Sequence, residues 1–400
     1  MMDILYLSHC VPNPPDKGEK IRAHRELLHL CERFRVHLAC FARSPQDLAS
    51  AGDLRARCAS VYAEHLPPVT ALARAAARFA WGESLMMAHY SSRSMQRYVA
   101  DLARRERLSA TVIYTAVMAP LAPAGVPALL DLVDVDSEKW FDYARMRTPG
   151  FLYGMEARRY RRAEIEQAGR ASRILLSTEA EADLFRRAAP QVPVRVFTNG
   201  VDVDYFDPAR SPALPELAGR RPLVFVGTMD YYPNIEGVLW FASEILPELR
   251  RRESGIEFFV VGRNPPQTVV RLGQQPGITV TGAVPDVRPY LAAARAVVAP
   301  LRIARGIQNK VLEALSMGKT VLASDAICRT LGPELPCGVV RCGSAAEFIE
   351  GSVRTPTDAT IRPYAVRELA WQRTLEGLTR EVDDLLTNPG TSGCVSGIPV

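Results

Sequence analysis

A chain of 400 residues is too long for one ordinary hydrophobic core, so two domains are expected. Its hydrophobic fraction of 48% and charged fraction of 23% are those of a soluble globular protein, and no apolar run reaches the length of a membrane span. The net charge of +5 suits an anionic substrate or an anionic membrane surface and is too weak and dispersed for nucleic acid. The eight cysteines show no C-x-x-C and no metal spacing. Cys40 and Cys328 stand in apolar runs, which predicts buried reduced thiols and a cytoplasmic protein. Met1 leads directly into a strand, so no signal peptide is expected.

Asp3 to Ser8 (DILYLS) reads as a buried parallel strand. A proline-rich loop, His9 to Lys20, holds Lys17, Gly18 and Lys20. Helix Ile21–Phe34 and strand Val36–Phe41 follow. Arg43 to Ser109 reads as mostly helical, with Ala71–Trp81 alanine-rich and broken by Arg74 and Arg78. Thr111–Thr115 and Ala128–Asp134 are strands. Asp134-Val135-Asp136 has the look of a metal-binding D-x-D, but no supporting oxygen shell is readable. Asp136 or Ser137 also fits as the cap of the next helix. Phe151–Arg173 is helical, basic and interleaved with aromatics, either a solvated helix packed on one face or a membrane-surface helix. Asn199-Gly200 marks a turn within Val194–Pro208. After a proline-rich connection, Leu223–Gly227 opens a second Rossmann-like unit. Ile256–Gly262, Ile278–Gly282 and Val339–Arg341 are further strands. A last helix covers Pro363–Leu386, and the tail beyond Thr387 reads as disordered.

The stretch that organises the chain is Pro300–Ser324, PLRIARGIQNKVLEALSMGKTVLAS. Strand Ala296–Pro300 enters a loop with Arg302, Arg305 and Gly306. A helix starts near Gln308, with Ile307, Val311, Leu312 and Leu315 at helical spacing, and Gly318 ends it. Parallel sheets place ligands at the carboxyl ends of such strands. A glycine that lets backbone approach closely and a helix amino terminus make an anion site, and Arg305 and Lys310 add charge. Glu313, three residues after Lys310, shares its helical face and fits vicinal ribose hydroxyls. Phosphate plus ribose points to a nucleotide; a solvated Lys–Glu surface pair is the competing account.

This stretch resembles the donor-binding motif of the GT-B retaining glycosyltransferases of family 4, in which two acids stand on either side of seven residues. Glu313-Ala314 matches the second acid, and Lys310 the basic residue before it. Arg305 stands at the first acid's place, a departure that leaves contact with the transferred sugar open. The sequence ARGIQNKVLEA is most similar to the exosortase-associated (PEP-CTERM system) sugar transferase subfamily of exopolysaccharide clusters. The resemblance runs from about Met2 to Leu386.

It implies an α/β fold of GT-B type: two facing Rossmann-like domains with parallel sheets. Residues 1–197 and a returning helix, 366–387, would form the acceptor domain. Residues 198–365 would form the nucleotide-sugar domain, and 388–400 a disordered tail. The implied reaction moves a sugar from a nucleoside-diphosphate sugar to an acceptor hydroxyl with retention, without metal or other cofactor. The acceptor would be a saccharide or lipid-linked, with peripheral membrane contact possible at the cytoplasmic face. Lys310, Arg305 and Asp134 carry the implied catalytic roles. Gly306, Ile307, Gln308 and Glu313 line the donor. Lys17 and Gly18 match a glycine loop near donor phosphate and acceptor. Gly227 and Thr228 offer backbone N–H groups, and Arg263 supplies charge to the diphosphate. Val284, in Ala283–Tyr290, matches a segment whose backbone meets the base. No G-x-G-x-x-G follows a strand, against a dinucleotide oxidoreductase, and Glu313 stands where a P-loop ending in Gly318-Lys319-Thr320 needs glycine. A GT-B epimerase and a non-catalytic scaffold of a polysaccharide assembly are the remaining alternatives.

Overall fold

Apolar runs without alternation make strands buried on both faces, and the chain uses them twice. The computed structural model describes residues 1–217, 219–354 and 358–388. One compact unit is Met1–Thr198 together with the chain from Leu375; the other is Asn199–Thr374. The first carries β1 (Asp3–Ser8), β2 (Arg35–Ala42), β3 (Ser60–His65), β4 (Leu108–Tyr114), β5 (Ala128–Val133), β6 (Arg173–Leu176) and β7 (Val194–Val196). They form a parallel sheet in the order β3-β2-β1-β4-β5-β6-β7. The second carries β8 (Arg221–Val226), β9 (Ile256–Val261), β10 (Ile278–Gly282), β11 (Ala296–Ala299), β12 (Val321–Ala323) and β13 (Val339–Arg341). These are parallel in the order β10-β9-β8-β11-β12-β13. Each order reverses once, between β1 and β4 and between β8 and β11. Crossovers leave on opposite faces there and open a crevice at the strands' carboxyl ends.

The helices used below are α1 (Gly18–Arg33), α2 (Pro68–Ala80), α3 (Asp136–Met146), α4 (Gly150–Arg170), α5 (Tyr232–Trp240), α6 (Asn309–Ser316) and α7 (Trp371–Thr387). Leu5, Phe41, Leu130 and Phe185 belong to the core of the first unit, and Phe225, Phe241, Phe258 and Leu322 to that of the second. A fully buried ion cluster also ties the first unit. Arg22 Nε donates to Asp131 Oδ2 at 2.7 Å and lies 3.0 Å from Glu26 Oε1, and its guanidinium covers the Phe197 ring at 4.2 Å. Removing one partner of such a cluster leaves a buried charge uncompensated. Cys40 and Cys328 are buried free thiols. No helix among the described residues is long and apolar enough to cross a membrane.

Three sequence expectations change. Arg43–Ser109 contains the edge strand β3, half-buried along most of its length, so no apolar run announces it. The last helix is broken: Ile361–Tyr364 passes through a wide turn, Ala365–Leu369, and α7 restarts after Ala370. Ala370 is extended there because Val201 takes its neighbours' backbone groups, donating to Leu369 O at 2.8 Å and accepting from Trp371 N at 3.2 Å. Asp136 and Ser137 do not cap α3; it begins at Asp136 without a side-chain cap, and Ser137 Oγ donates to Glu164 at 2.7 Å. The body of α4 is packed on one face, as one of the two readings of Phe151–Arg173 expected, with Glu156, Ala157, Tyr160 and Glu164 buried. The expected disordered tail lies, beyond Asn388, outside the described residues.

One close backbone approach holds the edge of the second sheet. Gly227 and Gly262 directly follow β8 and β9, and a Cβ on Gly262 would stand 1.8 Å from the Gly227 carbonyl oxygen. Gly262→Ala should therefore lower the stability of the chain by about 1–3 kcal/mol in urea unfolding, as overpacked backbone must shift. Gly255→Ala, with nothing within 4 Å of the added carbon, should stay within about 0.5 kcal/mol.

Candidate active site

The crevice between β8 and β11 is built by three segments of the second unit. β8 ends in Phe225 and Val226, and Gly227 turns the chain out of the sheet. The Gly227 N–H donates to Val261 O at 3.0 Å, so it is not available to a ligand as the sequence suggested; the Thr228 N–H makes no backbone hydrogen bond among the described residues. β11 ends at Ala299, and the loop Pro300–Gln308 turns at Gly306, whose φ of 56° is the left-handed conformation that glycine adopts without strain. α6 then begins at Asn309, one residue after the predicted start. Gln308 precedes it and donates from its side chain to Arg305 O at 3.0 Å instead of capping the helix. The first-turn amides of α6 are thus left without a side-chain cap. Ile307, Gln308 and Asn309 are half-buried, so this end is neither sealed nor fully exposed.

Lys310 is the centre of the arrangement. Its ammonium donates to Asn234 Oδ1 at 2.7 Å and lies 4.2 Å from the centroid of the Phe225 ring. Asn234, in the first turn of α5, also donates from Nδ2 to Thr228 O at 2.7 Å. One amide therefore ties the β8 loop to the lysine. Glu313 is on the same helix, and its carboxylate makes no hydrogen bond or ion pair among the described residues. Burial pulls the Lys310 ammonium down to about 7, with Glu313 opposing, and pushes the Glu313 carboxyl up to about 7, with Lys310 opposing. Arg305 is half-buried in the β11 loop. Arg263 follows Gly262, and its carbonyl accepts from Met229 N at 2.8 Å. Val284, in the loop after β10, packs on the core edge.

The first unit has its own crevice, between β1 and β4. Lys17 and Gly18 are exposed at the start of α1, Lys17 as the residue preceding the helix. Beside them is a residue the sequence did not single out. His9, directly after β1, stacks on Tyr114 at 5.6 Å and meets the Tyr90 ring edge-on at 5.7 Å. Its Nε2 is 3.3 Å from Glu19 Oε2 and its Nδ1 3.3 Å from Thr115 Oγ1, and Glu19 is bonded to Arg43 at 2.9 Å. Thr115 and Val133 hold φ of 72° and 67°, left-handed values that are strained for β-branched residues and gather at functional sites. Asp134 Oδ1 accepts from Ser177 Oγ at 2.7 Å, whereas the Asp136 carboxylate makes no hydrogen bond among the described residues. Burial raises both acids; the Ser177 bond opposes this at Asp134, and Lys139 and His9 oppose it at Asp136. The signal for His9 was its place at the first strand's carboxyl end. The signal for Asn234 was a lone amide opening α5; neither has a spacing rule.

The two acids of the D-x-D thus differ in environment and do not form a cation cluster. Among the described residues one group of possible ligands converges, Asp3, His37 and Glu106, with Asp3 at the other end of β1. There His37 is bonded to Asp3 at 3.0 Å and to Ser60 at 2.8 Å, and Arg35 pairs with Asp3 at 3.1 Å, so two of its three members already have protein partners.

Residues 220–355 match the family model described as Glycosyl transferases group 1. No curated protein is a significant match. Among solved structures, the chain is similar to sucrose-phosphate synthase from Thermosynechococcus elongatus, at 13% identity and a TM-score of 0.69, covering 97% of this chain and 100% of that one. Anabaena HepE in complex with UDP aligns at 15% identity and 0.65, over 96% and 100%. An α,α-trehalose 6-phosphate synthase from Burkholderia multivorans aligns at 11% and 0.64, over 98% and 100%. The fold is GT-B, two parallel-sheet Rossmann-like domains, and the match with the fold supports a glycosyltransferase of GT-B type.

A lysine at about 7 is measurable in the free protein. In chain reductively methylated with carbon-13, one dimethyl-lysine resonance should titrate near neutrality and vanish in Lys310→Gln. Lysines that stay in water should titrate near their usual ~10.4.

Proposed function

We propose that the chain transfers a sugar from a nucleoside-diphosphate sugar to an acceptor hydroxyl, with retention at the anomeric carbon, in exopolysaccharide biosynthesis. The observation that carries this reading is Lys310: a half-buried ammonium facing a crevice with one neutral oxygen partner, beside a carboxylate with none. An anion is the missing partner for the first, and hydroxyl donors for the second. A nucleoside diphosphate supplies both. HepE, whose structures hold UDP and UDP-glucose, illustrates the ligand class on the same fold. Retention and the exopolysaccharide role rest on the resemblance of ARGIQNKVLEA to family 4.

In this scheme the leaving diphosphate gains charge as the glycosidic bond breaks. Lys310, the free amides at the start of α6 beside Gly306, Ile307 and Gln308, and the Thr228 N–H meet that charge without reorganising. Arg305 and Arg263 add long-range positive potential. Glu313 holds the ribose hydroxyls, and the backbone at Val284 the base. Gly227 contributes close backbone approach and not its N–H. In the first unit, Lys17 and Gly18 are assigned to the acceptor and Asp134 to its hydroxyls. The departing phosphate takes the acceptor's proton, so no protein nucleophile is assigned. The chain works at the cytoplasmic face, on a saccharide or lipid-linked acceptor.

A thermal-shift panel of nucleoside diphosphates and their sugars tests the reading. One base should stabilise the protein by mass action, and Lys310→Met should erase the shift. Turnover of the selected nucleotide sugar should fall about 10²–10³-fold in Lys310→Met, the scale of removing one preorganised charge donor. No stabilisation by any member would overturn it. The pH dependence has a defined sign. In the free protein Lys310 loses its proton above about 7, and a bound diphosphate restores it. Binding above neutrality should therefore take up a proton, and affinity should fall as pH rises from 7 to 9, by up to about tenfold per unit. Calorimetry in buffers of different ionisation enthalpy reads that uptake, and Lys310→Met should lack it.

A further inference from the structure

Helix α2 turns two large apolar residues outward. Its buried face is Ala71 and Ala75 and Phe79 is half-buried, whereas Val69 is 80% exposed and Leu72 55%. Trp81, at its carboxyl end, is 89% exposed. A helix of a protein surrounded only by water places its large apolar residues the other way. The second exposed cluster is the α3–α4 junction, with Met146, Phe151 at 67% and Leu152. A direct contact joins the two regions. Arg159 of α4 covers the Phe79 ring at 4.3 Å and donates to Glu83 O at 3.4 Å, joining the end of α2 to the helix that Phe151 opens.

Charge identifies the occupant. Residues 66–82 hold Arg74 and Arg78, residues 143–155 hold Arg145 and Arg147, and neither segment contains an acid. Arg78 and Arg145 pair with Glu83 and Asp142 just outside these segments. Arg74 donates to His89 O at 3.2 Å and Arg147 lies over the Tyr143 ring at 4.5 Å; among the described residues neither meets a carboxylate, so both keep their charge. Apolar tips, an exposed tryptophan and uncompensated arginines are what the interface of an anionic bilayer selects.

We propose that this face of the first unit, α2 with the α3–α4 junction, docks on a bilayer surface that carries anionic lipid. The main body of α4, expected from sequence as the alternative membrane helix, is packed; only its first turn takes part. The surface is attached to the sheet's carboxyl edge through α3, which begins at Asp136.

The full chain is mixed with vesicles of phosphatidylcholine and with vesicles of an equal mixture of phosphatidylcholine and phosphatidylglycerol, and the bound fraction is read by co-sedimentation. Binding should require the phosphatidylglycerol and weaken with salt. Leu72→Ser/Trp81→Ser and Arg74→Glu/Arg147→Glu should each reduce it about tenfold, with unchanged thermal midpoints because these side chains face solvent. Binding to neither vesicle, equal binding to both, or binding unaffected by either double variant overturns the proposal. So does a concentration-dependent dimer, abolished by Leu72→Ser/Trp81→Ser, in a chain that ignores vesicles; the face would then belong to a second copy. No donor or turnover enters the measurement, so its failure leaves the transferase reading untouched.

Discussion

The structure depends on holding one ammonium group largely away from water without pairing it directly to a carboxylate. Lys310 has an amide oxygen and an aromatic face for company, and together these compensate only part of what hydration supplied. The fall of its proton affinity to about 7 expresses the shortfall. Much of the second unit serves to hold that position. Phe225 comes from the end of β8, Asn234 from the first turn of α5, and the lysine from the first turn of α6. Three elements meet because the sheet order reverses between β8 and β11. The close backbone packing of Gly227 against Gly262 fixes the floor of the crevice. Such an arrangement costs free energy in the empty protein and would be relieved by a multivalent anion. Stored cost of this kind belongs to binding sites more than to scaffolds.

The first unit resolves the same problem in the opposite way. Several of its charges are paired: Arg22 with Asp131 and Glu26, Lys20 with Asp47 at 2.6 Å, and the half-buried Glu19 with Arg43 and His9, while the buried Glu156 and Glu164 take hydroxyl or backbone donors. Glu19 is held far below the usual carboxylate range although burial opposes this, because His9 and Arg43 both favour its ionised form. What remains unmatched at that sheet edge is a carboxylate, Asp136. One unit leaves an ammonium with a carboxylate beside it, the other a carboxylate alone. Carboxylates suit neutral polyols, whose hydroxyls donate, and an ammonium suits phosphate. The two edges thus differ in the ligand chemistry they fit.

The fold was legible because buried parallel strands are written as unbroken apolar runs, and most of them can be read directly. β3 was not, since an edge strand half-exposed along its length mixes polar and apolar residues as helices do. The break at Ala370 was hidden for another reason: Pro363–Leu386 keeps a helical period throughout. The interruption comes from Val201, more than 160 residues earlier in sequence, which takes the backbone groups on either side of Ala370. At the candidate site, Lys310 and Glu313 were visible because three-residue spacing puts them on one helix face. Asn234 was not, because a hydrogen bond between elements leaves no periodic trace. The sequence also implied more of Gly227 than it can give, since whether a loop N–H is free depends on the neighbouring strand.

Arg305 sharpens the physical picture. An acid at that place would put a negative charge in the loop leading to α6, close to where a diphosphate would lie, and its benefit would have to come from hydroxyls of the transferred sugar. An arginine reverses the balance. On the proposed reading it would add positive potential to the loop that leads to Lys310. It also removes an acceptor for sugar hydroxyls. In this chain recognition would therefore lean on the nucleotide and less on the sugar at that loop. That shift is consistent with a site in which the one unpaired carboxylate, Glu313, stands on the helix face beside Lys310 and not in the loop.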